Sequence, residues 1–340
     1  MSELDRQRRR RLAIGLALVT ALLLIGGLAV GSEGWSPTQL VQTWRSAEGA
    51  LIVGQIRAPR TLGAWLVGAL LGLAGATAQG LFRNPLADPY LLGSASGASL
   101  GVVLVLAAST LGGHAISLAT ADAIARVGLV AAAFAGALLG VMLTLTLARG
   151  AQQTTRLLLA GVVVGVVLAA ISDLVTSAAP DALRGKQAFM LGSTGFLGWG
   201  SCAALSLGLL LTLPPSWCLA RALDALTLGV DSAASLGLAL PRIRVALVVS
   251  LALATGIAVS QAGLIAFVGL VAPHLVRRFA PATHGFTLVA SAAAGGTLLL
   301  MADVLARSLI APQEVPVGVL TALLGGGYLI WLLHRRRVVS

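Results

Sequence analysis

The chain contains 340 residues, of which 57% are hydrophobic and only 10% are charged. Water-soluble domains usually carry about 25% charged residues, so this composition excludes a soluble globular fold. The formal net charge of +11 does not indicate nucleic-acid binding, because the basic residues stand between long apolar runs. We therefore expect an all-α polytopic membrane protein that lies in the lipid bilayer and has no nucleic-acid partner.

Uncharged apolar runs recur along the whole chain. The first, Leu12 to Gly31, follows a group of arginines, but it is longer than the apolar core of a signal peptide and no clear cleavage site follows it. We interpret it as the first span of a single transmembrane domain over residues 1–340. The predicted spans are residues 12–31, 61–82, 91–109, 127–148, 156–177, 196–214, 242–262, 264–279, 284–306 and 315–334.

Two apolar runs are too long for one crossing. The run 245–276 would form a helix of about 48 Å against a hydrocarbon core of about 30 Å, so we expect it to break near Gly263. The run 187–220 contains three early glycines, which predict a short outer-surface element over 187–195 before the next span. The result is ten transmembrane helices with both termini cytoplasmic. Most of the 23 Lys and Arg residues then lie inside, as the positive-inside rule requires.

Short motifs beside the spans carry more specific information than hydropathy. One is Arg57-Ala58-Pro59-Arg60, and another is Ala302-Asp303 followed by Arg307. The remaining motif positions are Asn84, Pro85, Gly93, Gly97, Pro273, His274, Glu314 and Pro316. Each motif is weak by itself, but their order over residues 57–333 is specific.

In this order the motifs resemble the FecCD family of ABC importer permeases, the membrane subunits of iron-siderophore, haem and vitamin B12 uptake systems. The resemblance implies the type II ABC importer permease fold, working by alternating access in the bacterial inner membrane. It also implies three partners: a second copy of the chain, a cytoplasmic ATPase dimer, and a periplasmic or lipid-anchored substrate-binding protein. The first choice of cargo is an iron-siderophore, with haem and cobalamin as alternatives.

The sequence contains no phosphate-binding P-loop motif. Lys186 is the only lysine and Gln187 follows it, whereas a P-loop needs Ser or Thr after its lysine. We therefore expect ATP and Mg²⁺ to bind the partner ATPase, and we expect this chain to have no cofactor and no catalytic residue.

Three arginines match the family's docking positions for the binding protein, namely Arg57, Arg60 and Arg307. Outer cations oppose the topology rule, and pairing with acidic residues of a partner would account for them. Arg57 and Arg60 have an alternative role, which is contact with lipid headgroups. Arg307 has a different alternative, an ion pair with Asp303 four residues earlier on the same helical face. The two roles of Arg307 do not exclude one another.

The inner segment 219–241 resembles the family's pair of coupling helices, which sit in a groove of the ATPase. Gly229 permits a tight turn between two short helices. The family usually has Glu after this glycine, whereas this chain has Val230, and Asp231 is a candidate replacement. An alternative, a hairpin on lipid headgroups, would favour basic residues over the acidic ones present. An apolar contact surface is expected from Leu226, Leu228, Ala233 and Leu236, and the other coupling residues are Asp224, Gly229, Asp231 and Gly237.

Few other polar residues indicate chemistry. Asp173 is either a proton-relay carboxylate or a solvated helix end, and Asp303 is the second carboxylate near the membrane. Membrane carboxylates are the least that a rival function, an ion-gradient-driven secondary transporter, would require, and only these two qualify. A third possibility, a structural scaffold, leaves the docking motif and the inner segment without a purpose. No metal site is expected, because none of the following has ligand spacing: Cys202, Cys218, His114, His274, His284 and His334.

Overall fold

The structure, a computed structural model, describes residues 3–31, 34–35, 47–111, 123–149 and 154–337, so His114 lies outside it. Val30–Gly31 (β1) pairs antiparallel with Gly34–Trp35 (β2). A π-helical turn covers Ile52–Arg57 and a 3₁₀ turn covers Pro89–Leu92. The α-helices are α1 (Glu3–Ala29), α2 (Ala47–Leu51), α3 (Ala58–Phe82), α4 (Ser94–Leu111), α5 (Ala123–Leu147), α6 (Thr154–Ala178), α7 (Pro180–Leu191), α8 (Trp199–Cys218), α9 (Ala220–Thr227), α10 (Val230–Ser235), α11 (Leu240–Ala262), α12 (Val268–Phe279), α13 (His284–Ser308) and α14 (Val317–Arg337).

A helix covers most of each predicted span. Among the described residues, seven helices are long and apolar enough to cross a membrane, namely α1, α3, α5, α6, α8, α11 and α13. The helices α4 and α14 contain shorter apolar stretches, and α12 has only 12 residues. The nearly all-helical architecture with several candidate membrane spans is confirmed, whereas the number of ten crossings stays a prediction.

The helix breaks lie close to the glycines that predicted them. Gly263 ends α11 with a φ of +70°, a left-handed conformation that glycine adopts without strain, so the predicted break is confirmed. The short element over 187–195 is wrong in its bounds. Residues 187–191 are the last part of a helix that begins at Pro180, where proline is favoured in the first turn, and residues 192–195 follow its end. The two breaks meet, since the Ser193 amide donates to the Ala262 carbonyl at 2.8 Å.

The central helix of the bundle is α3, in which 21 of the 25 residues are buried. Its glycines allow very close approach of α13. A Cβ on Gly72 would collide with the carbonyl oxygen of Ser291, and a Cβ on Gly68 would collide with that of Gly295. Glycines at this spacing bring helix backbones together. As a result, α3 and α13 pack backbone against backbone.

Helix α13 connects the two ends of the bundle. It has 25 residues, which corresponds to about 37 Å. Its first residue, His284, contacts the helix pair α9–α10, which we call the hairpin. Near its last turn lies a group of four charged residues, which we call the ion cluster: Arg60, Asp303, Arg307 and Glu314. The two candidate sites therefore lie at opposite ends of the same helix.

Candidate docking and coupling sites

Arg60 is the centre of the ion cluster. Its Nη1 and Nη2 atoms donate to Oε1 and Oε2 of Glu314, each at 2.8 Å, and its Nε donates to Oδ1 of Asp303 at 3.1 Å. The paired bonds to Glu314 are the fork geometry for which guanidinium is suited. The Arg60 side chain is 12% exposed and that of Glu314 is 40% exposed, so this pair forms the open edge of the cluster.

Asp303 is the buried carboxylate of the cluster, with a side chain that is 0% exposed. Its Oδ2 accepts from Nη2 of Arg307, four residues later, and its Oδ1 also accepts from the Thr194 hydroxyl at 2.6 Å. A buried carboxylate is tolerated when cations and hydrogen bonds satisfy both its oxygens, as they do here. The i,i+4 pairing of Asp303 with Arg307 that the sequence suggested is confirmed.

Two of the predicted docking arginines hold the end of α1. Arg307 Nη1 donates to the Gly27 carbonyl at 3.0 Å, and Arg57 Nη1 donates to the Leu28 carbonyl at 3.1 Å. Carbonyls in the last helical turn have no partner within the helix and carry partial negative charge. The two guanidinium groups satisfy them, so they cap α1 and fasten it to α13 and to the π-helical turn directly before α3.

The ion cluster has one exposed edge, and its other side lies inside the protein. The hydrogen bond from Arg60 holds the pKa of the Glu314 carboxyl below its ordinary value, so this group is ionised at neutral pH. Arg307 is only 3% exposed. Docking by Arg57, Arg60 and Arg307 stays a prediction; in this conformation Arg57 and Arg60 are partly exposed, whereas Arg307 is buried.

At the other end, the hairpin has the predicted form. Gly229 lies between α9 and α10 with a φ of +114°, which only glycine adopts readily. The prediction of its apolar contact surface is wrong for two of the four residues. Leu228 and Leu236 are 72% and 64% exposed, but Leu226 and Ala233 are 2% and 0% exposed because they pack into the core of the bundle.

The acidic residues of the hairpin differ in their surroundings. Asp231 is exposed in the first turn of α10, and Gly237 follows that helix with a φ of +75°. Asp224, in contrast, contacts His284 at the start of α13. Sequence reasoning missed this contact, because the two residues are far apart in the chain and His284 was considered only as a metal ligand.

The remaining motif residues shape turns and helix contacts. Asn84 Oδ1 accepts from the Leu86 amide at 2.9 Å, in the loop that contains Pro85. The His274 ring lies 5.8 Å from that of Tyr328, edge to face, after the buried Pro273. Two glycines and a proline complete the set: Gly93 with a φ of +80°, Gly97 against the Gly136 backbone, and Pro316 directly before α14.

Asp173 lies near the end of α6 and forms an ion pair with Nζ of Lys186 on α7. Its side chain is 71% exposed. The interpretation as a solvated helix end describes this environment, and the lysine partner was not predicted. A carboxylate open to solvent and paired with a cation is a poor proton relay.

Comparison with known proteins places this geometry in a family. The family model described as the FecCD transport family matches residues 18–335. The vitamin B12 import system permease protein BtuC of Klebsiella pneumoniae subsp. pneumoniae is 39% identical over 99% of this chain and 97% of its own length. The protein of the same name from Salmonella typhimurium is 39% identical over 97% of this chain and 97% of its own. A solved structure described as an inward-facing conformation of a metal-chelate type ABC transporter matches with a TM-score of 0.83 and 26% identity, covering 96% of this chain and 99% of that one. The chain therefore belongs to the FecCD transport family, as a membrane-spanning permease of the ABC type.

Proposed function

We propose that this chain is the membrane subunit of an importer that carries vitamin B12, or a closely related corrinoid, across the bacterial inner membrane. The observation that carries the proposal is the 39% identity to vitamin B12 permeases along 99% of the chain. Two copies of the chain would enclose the pathway, with an ATPase dimer at the hairpin end and a binding protein at the ion-cluster end. ATP and Mg²⁺ would bind the ATPase, and this chain would break no bond in its cargo.

The hairpin supports the coupling role. Leu228, Val230 and Leu236 are apolar and exposed within a short segment, and neighbouring exposed apolar residues mark a surface suited to contact with a partner. Covering one such leucine contributes about 1.5–3 kcal/mol to association. Closure of the ATPase dimer on ATP would move the hairpin, and the two permeases would tilt to open the pathway on the other side.

The ion cluster supports the docking role. Acidic side chains of a binding protein would compete with Glu314 for the guanidinium of Arg60, which is partly exposed and already bonded in fork geometry. Charge complementarity of this kind speeds association and selects the partner. Reversing Arg57 and Arg60 to Glu, followed by measurement of binding-protein affinity at low salt, tests the docking assignment. Unchanged affinity would refute it.

The cargo assignment differs from the first choice made from sequence, an iron-siderophore. The resemblance to vitamin B12 permeases favours cobalamin over that choice and over haem. Cells that lack their own cobalamin uptake and express this chain with its partners are expected to accumulate labelled cyanocobalamin. Accumulation of a ferric siderophore or haem in its place would refute the cargo and leave the importer function standing.

The rival function, a secondary transporter, has less support. Its two candidate carboxylates, Asp173 and Asp303, are each paired with cations, and Asp173 is open to solvent. Both oxygens of Asp303 are already engaged by Arg60, Arg307 and Thr194, so neither is left free to coordinate a transported ion. Uptake driven by an ion gradient in vesicles without ATP would favour this rival.

A further inference from the structure

The start of α13 is capped from a distant part of the chain. Its own N-cap residue, Thr283, makes no capping hydrogen bond within the described structure. In its place, Oδ1 of Asp224 in α9 accepts from the His284 amide at 2.9 Å. Amides in the first helical turn have no partner within the helix, and they favour a negative charge nearby. A hairpin side chain therefore completes the helix that leads to the ion cluster.

The same carboxylate oxygen makes a second contact with the same residue. Nδ1 of the His284 ring lies 2.7 Å from Oδ1 of Asp224. The ring also rests on α3 at Gly80, where an added Cβ would lie 3.0 Å from two ring atoms. The His284 side chain is 17% exposed, so it is held between three elements, which are α3, α9 and α13.

The hairpin surface around this contact is divided between the bundle and the exterior. Leu223 and Leu226 of α9 are buried, whereas Leu228 and Leu236 project outward. A force on the exposed leucines would thus reach the bundle through α9. Asp224 lies in the same helix as the buried leucines, and its two bonds to His284 are the polar link from α9 to α13.

We propose that Asp224 and His284 are positioning residues that pass movement of the hairpin to α13, and through α13 to the ion cluster. The link requires α13 to move as a rigid body. Its backbone packing against α3 and its uninterrupted 25 residues provide that rigidity. The inference rests on the proposed function, because an ATPase must move the hairpin. Without the link, ATP hydrolysis continues but fewer cargo molecules cross for each ATP.

The test measures transport and hydrolysis in the same vesicles. The chain is reconstituted with its ATPase and binding protein, with cyanocobalamin as the probe. Asp224→Ala and His284→Ala are expected to lower uptake per ATP at least fivefold. Asp224→Asn keeps the acceptor for the His284 amide, so it is expected to keep more than half of the wild-type ratio. Asp181→Ala, which removes an exposed carboxylate from the first turn of α7, is the matched control.

Hydrogen exchange of the chain in detergent gives a second readout that needs no ATPase. Amides in the first turn of α13 are expected to exchange at least fivefold faster in Asp224→Ala than in the wild type or in Asp181→Ala. Equal exchange, or an uptake-to-ATP ratio within twofold of wild type in both alanine variants, overturns the link. If Asp224→Ala does not fold, the uptake-to-ATP ratio of His284→Ala decides, because that variant keeps the backbone amide that Asp224 caps. A ratio within twofold of wild type then overturns the link. Absence of ATP-driven uptake by the wild-type complex would instead overturn the proposed function.

Discussion

Asp303 is the residue whose neutralisation tests the physical account of the ion cluster most sharply. It is fully buried and its partner Arg307 is only 3% exposed. Asp303→Asn keeps the shape of the side chain but leaves the Arg307 guanidinium buried without a countercharge in contact. Removing one partner of a buried ion pair typically costs about 3–5 kcal/mol, so we expect the free energy of unfolding to fall by about that amount.

Replacing the cationic partner, Arg307, is expected to lower the free energy of unfolding by less than replacing Asp303. Arg307→Met leaves Asp303 with the Nε of Arg60 and the hydroxyl of Thr194, so its charge stays compensated. The double variant Asp303→Asn with Arg307→Met removes both charges, and an apolar side chain of similar length replaces the cation. Such replacements are often neutral, so the double variant is expected to be more stable than Asp303→Asn by at least about 1 kcal/mol.

The assay is unfolding in mixed micelles of detergent and sodium dodecyl sulfate, followed by far-ultraviolet circular dichroism at neutral pH. The matched control is Asp173→Asn, which removes an exposed carboxylate from its pair with Lys186. Exposed pairs contribute about 0–1 kcal/mol, and we expect a change in that range. The reasoning is refuted if Asp303→Asn is no more destabilising than Asp173→Asn, or if Arg307→Met costs more than Asp303→Asn.

Three further predictions concern pH, packing and the hairpin. The pKa of Glu314 is lowered by its hydrogen bond to Arg60, so its contribution to stability is present above the ordinary pKa of glutamate and is lost as the pH falls through the lowered value. Unfolding midpoints of wild type and Glu314→Gln should therefore converge on acidification, and a gap that widens would contradict this sign. Gly72→Ala should abolish or strongly reduce the amount of folded protein in size-exclusion chromatography, because the added Cβ would collide with the Ser291 backbone. Gly200→Ala is the control and should behave as wild type, since a Cβ there meets no described atom within 4 Å. Leu228→Ala should weaken co-purification of the ATPase and leave the free energy of unfolding unchanged, because Leu228 is exposed. Leu226→Ala should lower the free energy of unfolding by about 2–5 kcal/mol, because Leu226 is buried. Equal effects of the two variants on stability would contradict these exposures.

Much of the fold was predictable because membrane insertion depends on local properties. A span is recognised from one stretch of sequence, and the positions of the helices and the break at Gly263 followed from length and glycine. The bounds of α7 were missed because its charged first half, from Pro180 to Lys186, carries no apolar signal. The number of crossings is harder to predict, because α12 has only 12 residues, which is too short for a full span, and its position in the membrane depends on the helices packed around it.

The candidate sites were only partly predictable, because they depend on contacts between distant residues. The Asp303–Arg307 pair was accessible from sequence since its members are one helical turn apart. The bonds from Arg57 and Arg307 to the end of α1 join residues far apart in the chain, and no local pattern encodes them. The buried positions of Leu226 and Ala233 likewise depend on how the hairpin packs against the bundle.

We propose that this permease moves its cargo only when an ATPase belonging to another polypeptide drives it. The most direct measurement is cyanocobalamin uptake by vesicles that contain the chain with its ATPase and binding protein, compared with vesicles that contain the chain without them under imposed proton and sodium gradients. We expect ATP-dependent accumulation in the vesicles with all components, and no accumulation against a concentration gradient in the vesicles that contain the chain without its partners. Concentrative uptake by the chain without the ATPase would contradict it.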